Sequence, residues 1–143
     1  NVISNIAKLL NKARPSENPS RRKSAMFTVQ RIYDYRPAAG QTAVFIDRLY
    51  PRGVTKEKFA AAEWLKAIAP SAELRRWYHA DPDNRYDAFA ARYRQELQDA
   101  EHQAALAELW RLAKEQPRTV LLTAVKQPER SHIAVLLDYL HAD

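Results

Sequence analysis

The chain has 143 residues, 46% of them apolar and 28% charged, with no cysteine and only two glycines. That composition fits one globular domain and leaves no room for two full-sized ones. It excludes disulfides, thiolate metal sites and a cysteine nucleophile. No apolar run approaches the roughly 18–20 residues that cross a bilayer, and no signal-peptide core is visible.

The net charge of +6 is unevenly placed. Residues 1–25 carry Lys8, Lys12, Arg14, Arg21, Arg22 and Lys23 against Glu17 alone, so the remainder is nearly neutral. We read residues 1–25 as a basic leader or linker, flexible or in part a short helix, with a single domain over 26–143. Val2, Ile3, Ile6, Leu9 and Leu10 recur at helical spacing, whereas Arg14–Ser24 is rich in Pro, Ser and Arg and cannot bury a core. Such an arm suits nucleic acid or anionic lipid.

From Phe27 to Tyr33 apolar and polar residues alternate, which predicts a strand covered on one face. A Pro- and Gly-containing connection follows over 34–41. The continuous apolar run from Ala43 predicts an interior strand over 43–49. The joint between these strands is too short for a crossover helix. They are therefore either antiparallel neighbours or separated in the sheet. Pro51 and Gly53 stop the second strand, and Thr55 is a helix N-cap with Glu57 in the first turn.

Phe59, Ala62, Leu65 and Ile68 then recur every three residues, predicting a helix that ends at Pro70. Ser71 caps a second through Leu74, Trp77 and Tyr78. A turn at 81–84 leads into a long helix with the stripe Tyr86, Phe89, Tyr93 and Leu97. A break near 99–103 precedes the stripe Leu106, Leu109, Trp110 and Ala113. Residues 119–125 form a buried strand, and 133–140 a closing helix. This order predicts an α/β fold, a small sheet of three to four strands covered by helices, with at least one parallel crossover. The tryptophans are expected as core anchors.

From residue 31 onward several segments resemble one family. Arg31–Asp34 is followed by Asp47-Arg48-Leu49-Tyr50-Pro51-Arg52-Gly53 and Lys56. Trp64-Leu65-Lys66, Ala69-Pro70-Ser71, Leu74-Arg75 and Trp77 come next, then Phe89, Tyr93, Glu96 and Leu97, and finally the strand Thr119–Lys126. These resemble the YeaO-like family of small bacterial domains of unknown function, over about four-fifths of the chain. The resemblance implies a Rossmann-like α/β fold and no established activity. Tyr50 stands where the family has Trp, and His79 is displaced by one position. Gln127 and Ser131-His132 replace the polar residues that usually follow the last strand.

The segment Asp47–Gly53 falls at the carboxyl end of an interior strand, where open α/β sheets place ligands. Arg48 and Arg52 bracket a rigid proline, Gly53 allows close backbone approach, and the helix from Thr55 would add free N–H groups. We therefore expect a site for a small phosphorylated or carboxylated anion at Arg48, Arg52, Lys56, Arg75 and Lys126. The competing structural reading pairs Asp47 with Arg48 and makes Pro51–Gly53 merely a rigid turn.

His79 with Asp81 is a candidate acid–base pair, although a surface or capping role fits His79 as well. His102, in a charged stretch, and His141, near the terminus, are expected to be solvated. His132 is expected to cap the last helix or face the pocket. Neither a metal nor a cofactor is expected, because His spacing and the lack of thiolates and glycine-rich loops offer no such site. Arg interleaves with aromatics at Arg31-Ile32-Tyr33, Arg48-Leu49-Tyr50, Arg75-Arg76-Trp77 and Arg92-Tyr93-Arg94. That pattern leaves a nucleic-acid-binding accessory protein open, through these residues or residues 1–25. A protein-interaction module or homodimer is the third reading. We expect a cytoplasmic location, which the absence of cysteine permits.

Overall fold

The structure, a computed structural model, describes residues 27–142, so the expectations for residues 1–25 lie outside the described residues. Four strands form one sheet: β1 (Phe27–Arg31), β2 (Gln41–Phe45), β3 (Glu63–Trp64) and β4 (Arg118–Thr123). Their order is β1-β4-β2-β3, and every pair is parallel. Of the two arrangements open to β1 and β2 the chain adopts separation, with β4 between them. Leu121 lies opposite Val29 on one side and Val44 on the other.

The apolar runs of β2 and β4 are continuous because both faces of these strands are covered. Val44, Ile46 and Leu121 face the larger core, beneath the main helices. Ala43, Phe45, Val120 and Leu122 face a smaller core with Ile32, Tyr35 and Val54. The helices are α1 (Lys56–Phe59), α2 (Ala72–His79), α3 (Pro82–Glu96), α4 (Ala100–Ala113) and α5 (His132–His141). The predicted caps are in place. The Thr55 hydroxyl accepts from the Lys58 N–H, and the Ser71 hydroxyl from the Leu74 N–H. Pro82 occupies the first turn of α3, where its missing N–H costs nothing.

One predicted element is corrected. The helix expected through Ile68 ends after four residues as α1, and the chain turns into the edge strand β3 and a 3₁₀ turn at Lys66–Ile68. Phe59 and Ala62 pack on the smaller core, whereas Leu65 and Ile68 pack on the larger one. One stripe on one helix cannot serve both sides of a sheet, so the chain passes around its edge. Trp64 secures the passage, its indole N–H donating to the Asp47 carbonyl at 2.7 Å.

The stripe on α3 is as expected, with Phe89, Tyr93 and Leu97 buried. The Tyr93 hydroxyl donates to the Ile68 carbonyl at 2.6 Å. The break between the long helices falls at 97–99, at the near edge of the expected interval. His102 is a second correction: it is buried at 2% exposure, not solvated. Its Nδ1 lies 2.8 Å from the Asp99 carboxylate and its Nε2 2.8 Å from the Ala69 carbonyl. His141 is half-buried, with Nε2 shielded from water.

Asp99 caps α4 by accepting from the His102 N–H at 2.8 Å. That backbone bond, and after it the ring of His102, holds the Asp99 carboxyl below the usual aspartate value of 3.8. The contribution is complete above that value and is lost as pH falls through the lowered one. Asp99→Ala removes both the cap and the ring's partner, and is expected to cost about 1–2 kcal/mol in urea denaturation at neutral pH. Asp99→Ser, which restores the cap but not the reach to the ring, should recover only part of that loss.

Candidate functional site

Because all four strands are parallel, their carboxyl ends lie along one edge of the sheet. The loops leaving that edge enclose a hollow of about 610 Å³. Tyr33 follows β1, Asp47–Arg52 follow β2, and Ala124–Gln127 follow β4. Arg75, Tyr78 and His79 enter from α2, Phe89 from α3, and His132 from the start of α5.

Asp47 knits this edge together. Its Oδ1 accepts from the Thr123 hydroxyl at 2.7 Å, and its Oδ2 from the Ala124 N–H at 2.8 Å. His132 Nε2 lies 3.2 Å from the same Oδ1 and 3.0 Å from the Ile46 carbonyl. Both neighbours are acceptors, which assigns the ring proton to Nε2. His132 thus faces the hollow, while Ser131 caps the helix by accepting from the Ile133 N–H.

Arg48 turns away from Asp47. Its Nε donates to the Pro70 carbonyl at 2.8 Å and its Nη2 to the Ala69 carbonyl at 3.3 Å. The ion pair offered as the structural alternative is therefore not formed. Gly53 takes φ 76°, and a Cβ there would meet nothing within 4 Å. The glycine serves the turn and not a close approach.

Four of the five expected anion-binding residues, Arg48, Arg52, Arg75 and Lys126, line the hollow. Lys56 does not; it sits on the first turn of α1, and neither it nor Thr55 reaches the lining. The expected contribution of that helix end is therefore withdrawn: beyond Gly53 the chain turns away. Arg75 Nε is shielded from water and has no hydrogen-bond partner among the described residues. Arg130, which the sequence reading missed, also lines the hollow. Its position in the loop after the last strand, four residues beyond Lys126, was the available signal.

The candidate acid–base pair does not assemble. His79 lines the hollow, and burial, then the charges of Arg75 and His132, push its pKa below the usual histidine value. Asp81 lies outside the lining, and both of its carboxylate oxygens accept from the Asn84 side chain at 3.2 Å.

The three tryptophans pack against the two cores, Trp77 and Trp110 on the larger and Trp64 on the smaller, and each is half-buried. Trp77 is flanked by the guanidiniums of Arg92 and Arg85, 4.1 and 4.6 Å from its ring centroid. No helix among the described residues is long and apolar enough to cross a membrane.

A family model, DUF488-N3i, described as the inactive DUF488-N3 subclade, matches residues 26–143. The chain belongs to this family. The chain is similar to the uncharacterized protein Rv3073c of Mycobacterium tuberculosis, 45% identical over 114 residues, or 79% of this chain and 92% of the relative. Mb3100c of Mycobacterium bovis matches to the same extent. The uncharacterized protein YeaO of Escherichia coli is 37% identical over 113 residues, 79% of this chain and 95% of its own. The resemblance to the YeaO-like family is thereby borne out. No solved structure matches the chain.

Proposed function

We propose that this domain binds a small phosphorylated or carboxylated anion in the hollow at the carboxyl edge of its sheet. The observation that carries the reading is the charge of the lining. Arg48, Arg52, Arg75, Lys126 and Arg130 surround the hollow, and its one acid, Asp47, is already engaged by Thr123, Ala124 and His132. An excess of cations around a concave, partly desolvated space favours an anionic guest. Arg75 adds a specific argument. A shielded guanidinium nitrogen without an acceptor is costly to the free protein, and an incoming oxyanion would relieve that cost. The separation of His79 from Asp81, and the description of the matched subclade as inactive, support binding rather than turnover.

The test is ligand-induced stabilisation, read by thermal unfolding with inorganic phosphate, pyrophosphate and citrate. At a ligand concentration about a hundredfold above Kd the wild type should gain about 2.7 kcal/mol. Arg52→Ala should lose most of that gain. Arg75→Leu should lose it too, while making the ligand-free protein more stable by about 1 kcal/mol. Lys56→Ala, outside the hollow, should behave as wild type. If none of the three anions stabilises the protein, or if Lys56→Ala abolishes the effect as fully as Arg52→Ala, the reading is wrong.

A further inference from the structure

Resting on the anion reading, we infer that the ligand is a mononucleotide-like molecule: a planar heteroaromatic ring carrying a phosphate. The large apolar side chains exposed among the described residues are Tyr33, Leu49 and Tyr50, and all three line this one hollow. Burial is otherwise thorough in this fold, so three such exposures on one rim mark a surface made to be covered.

Both tyrosine hydroxyls are already engaged, so what these side chains can offer a guest is ring surface. The Tyr33 hydroxyl donates to the Arg52 carbonyl at 3.0 Å, and the Tyr50 hydroxyl to the Val54 carbonyl at 2.8 Å. Tyr50 is backed by Phe59, with ring centroids 4.7 Å apart, and edge-on by Trp64 at 6.2 Å. The Arg31 guanidinium lies 5.0 Å from the Tyr33 ring centroid. Rings braced in this way lose little freedom when a flat guest stacks on them.

The anionic end of the guest is set by the uncommitted cations. Arg48 is held by the Ala69 and Pro70 carbonyls, and Arg130 lies 3.4 Å from the Asp83 carbonyl. The side chains of Arg52, Arg75 and Lys126 have no hydrogen bond or ion pair among the described residues. Three free cations exceed what one carboxylate needs and suit a phosphate, with nearly two charges and three acceptor oxygens. A volume of about 610 Å³ holds such a ring and phosphate together.

The experiment is calorimetric titration of the full chain with AMP, UMP, adenosine, inorganic phosphate and a ten-nucleotide RNA. AMP or UMP should bind at least about tenfold tighter than phosphate, the increment expected of one stacked base. Tyr33→Leu and Tyr50→Leu keep apolar bulk without a planar face. Each should weaken the mononucleotide about tenfold and leave phosphate unchanged, with folding checked by thermal unfolding. Arg52→Ala should weaken both ligands.

Mononucleotides binding no tighter than phosphate, or tyrosine variants that weaken phosphate equally, would overturn the inference while leaving the anion reading intact. Adenosine binding as tightly as AMP would overturn both, as would no binding by any probe. RNA binding far more tightly than either mononucleotide, with a steep salt dependence, would also overturn the inference and assign the surface to nucleic acid.

Discussion

Asp47→Ala is expected to destabilise the fold by about 3 kcal/mol, the loss arising when several shielded donors are orphaned at once. The Thr123 hydroxyl belongs to a fully buried residue, and His132 is 8% exposed. Neither can turn to water without moving β4 or α5. The Ala124 N–H loses its acceptor in the same step. For a domain of this length the loss corresponds to a fall in Tm of roughly 10 °C. Asp47→Asn retains one acceptor oxygen but sets an amide against a donor, so it should fall between alanine and wild type. A Tm within 2 °C of wild type for Asp47→Ala would show that these donors find other partners.

The second large effect is expected at Tyr93, which is fully buried, with its ring between Phe89 and the two histidines His102 and His132. Tyr93→Ala should cost about 4 kcal/mol through lost burial and the cavity left behind. Tyr93→Phe removes only the bond to the Ile68 carbonyl and should cost about 1 kcal/mol at neutral pH.

The two tyrosine variants also separate a pH effect. Burial pushes the Tyr93 phenol far above its ordinary value of 10.0. The folded chain therefore keeps a proton that the unfolded chain releases at alkaline pH. Stability from this group is complete below about pH 10 and is lost as pH rises beyond it. Phenylalanine has no proton to lose, so the penalty of Tyr93→Phe should shrink between pH 8 and pH 11 in urea titrations. A constant penalty would mean that the phenol ionises in the folded state as it does in the unfolded one.

The elements legible in the sequence were those whose periodicity reports a single environment. Val44–Ile46 and Val120–Leu122 are apolar at every position because helices and loops cover both faces, and their sequence reads as an interior strand and a buried strand respectively. The caps Thr55 and Ser71 were legible because a hydroxyl before an apolar stripe has few other uses. The stretch from Phe59 to Ile68 misled because its three-residue spacing comes from alternate service to two cores, which a linear pattern does not distinguish from one helical face. The edge of β2 and the reach of the Trp64 indole to Asp47 decided the matter, and both are long-range.

His102 was hidden by charged neighbours, yet it stands three, four and seven residues before Ala105, Leu106 and Leu109, on the buried side of α4. That spacing was the available signal. Of the residues lining the hollow, Arg48 and Arg52 follow from the rule that parallel strands deliver ligands to their carboxyl ends, whereas Arg75, on α2, and Lys126 were offered only as further candidates. The loss of Lys56 was not legible, because it depends on where the chain turns after Gly53. The exposure of Tyr33 and Tyr50 was equally hidden, since an aromatic residue beside an arginine reads the same whether it is a core ring or a lip.

β4, one of the two inner strands of the sheet, is also the last of the four described strands in chain order. β1 and β2 stand two strand spacings apart, roughly 9.6 Å, with residues 118–123 between them. Before β4 is made, β1 has no neighbour among the described strands, and β2 has only the two-residue β3 among them. Most backbone donors of the early strands must therefore stay hydrated while α2, α3 and α4 leave the exit tunnel and form local turns. A chain lacking residues 118–123 would keep only the short β2–β3 pairing, and the whole of β1 would be left without a partner among the described strands.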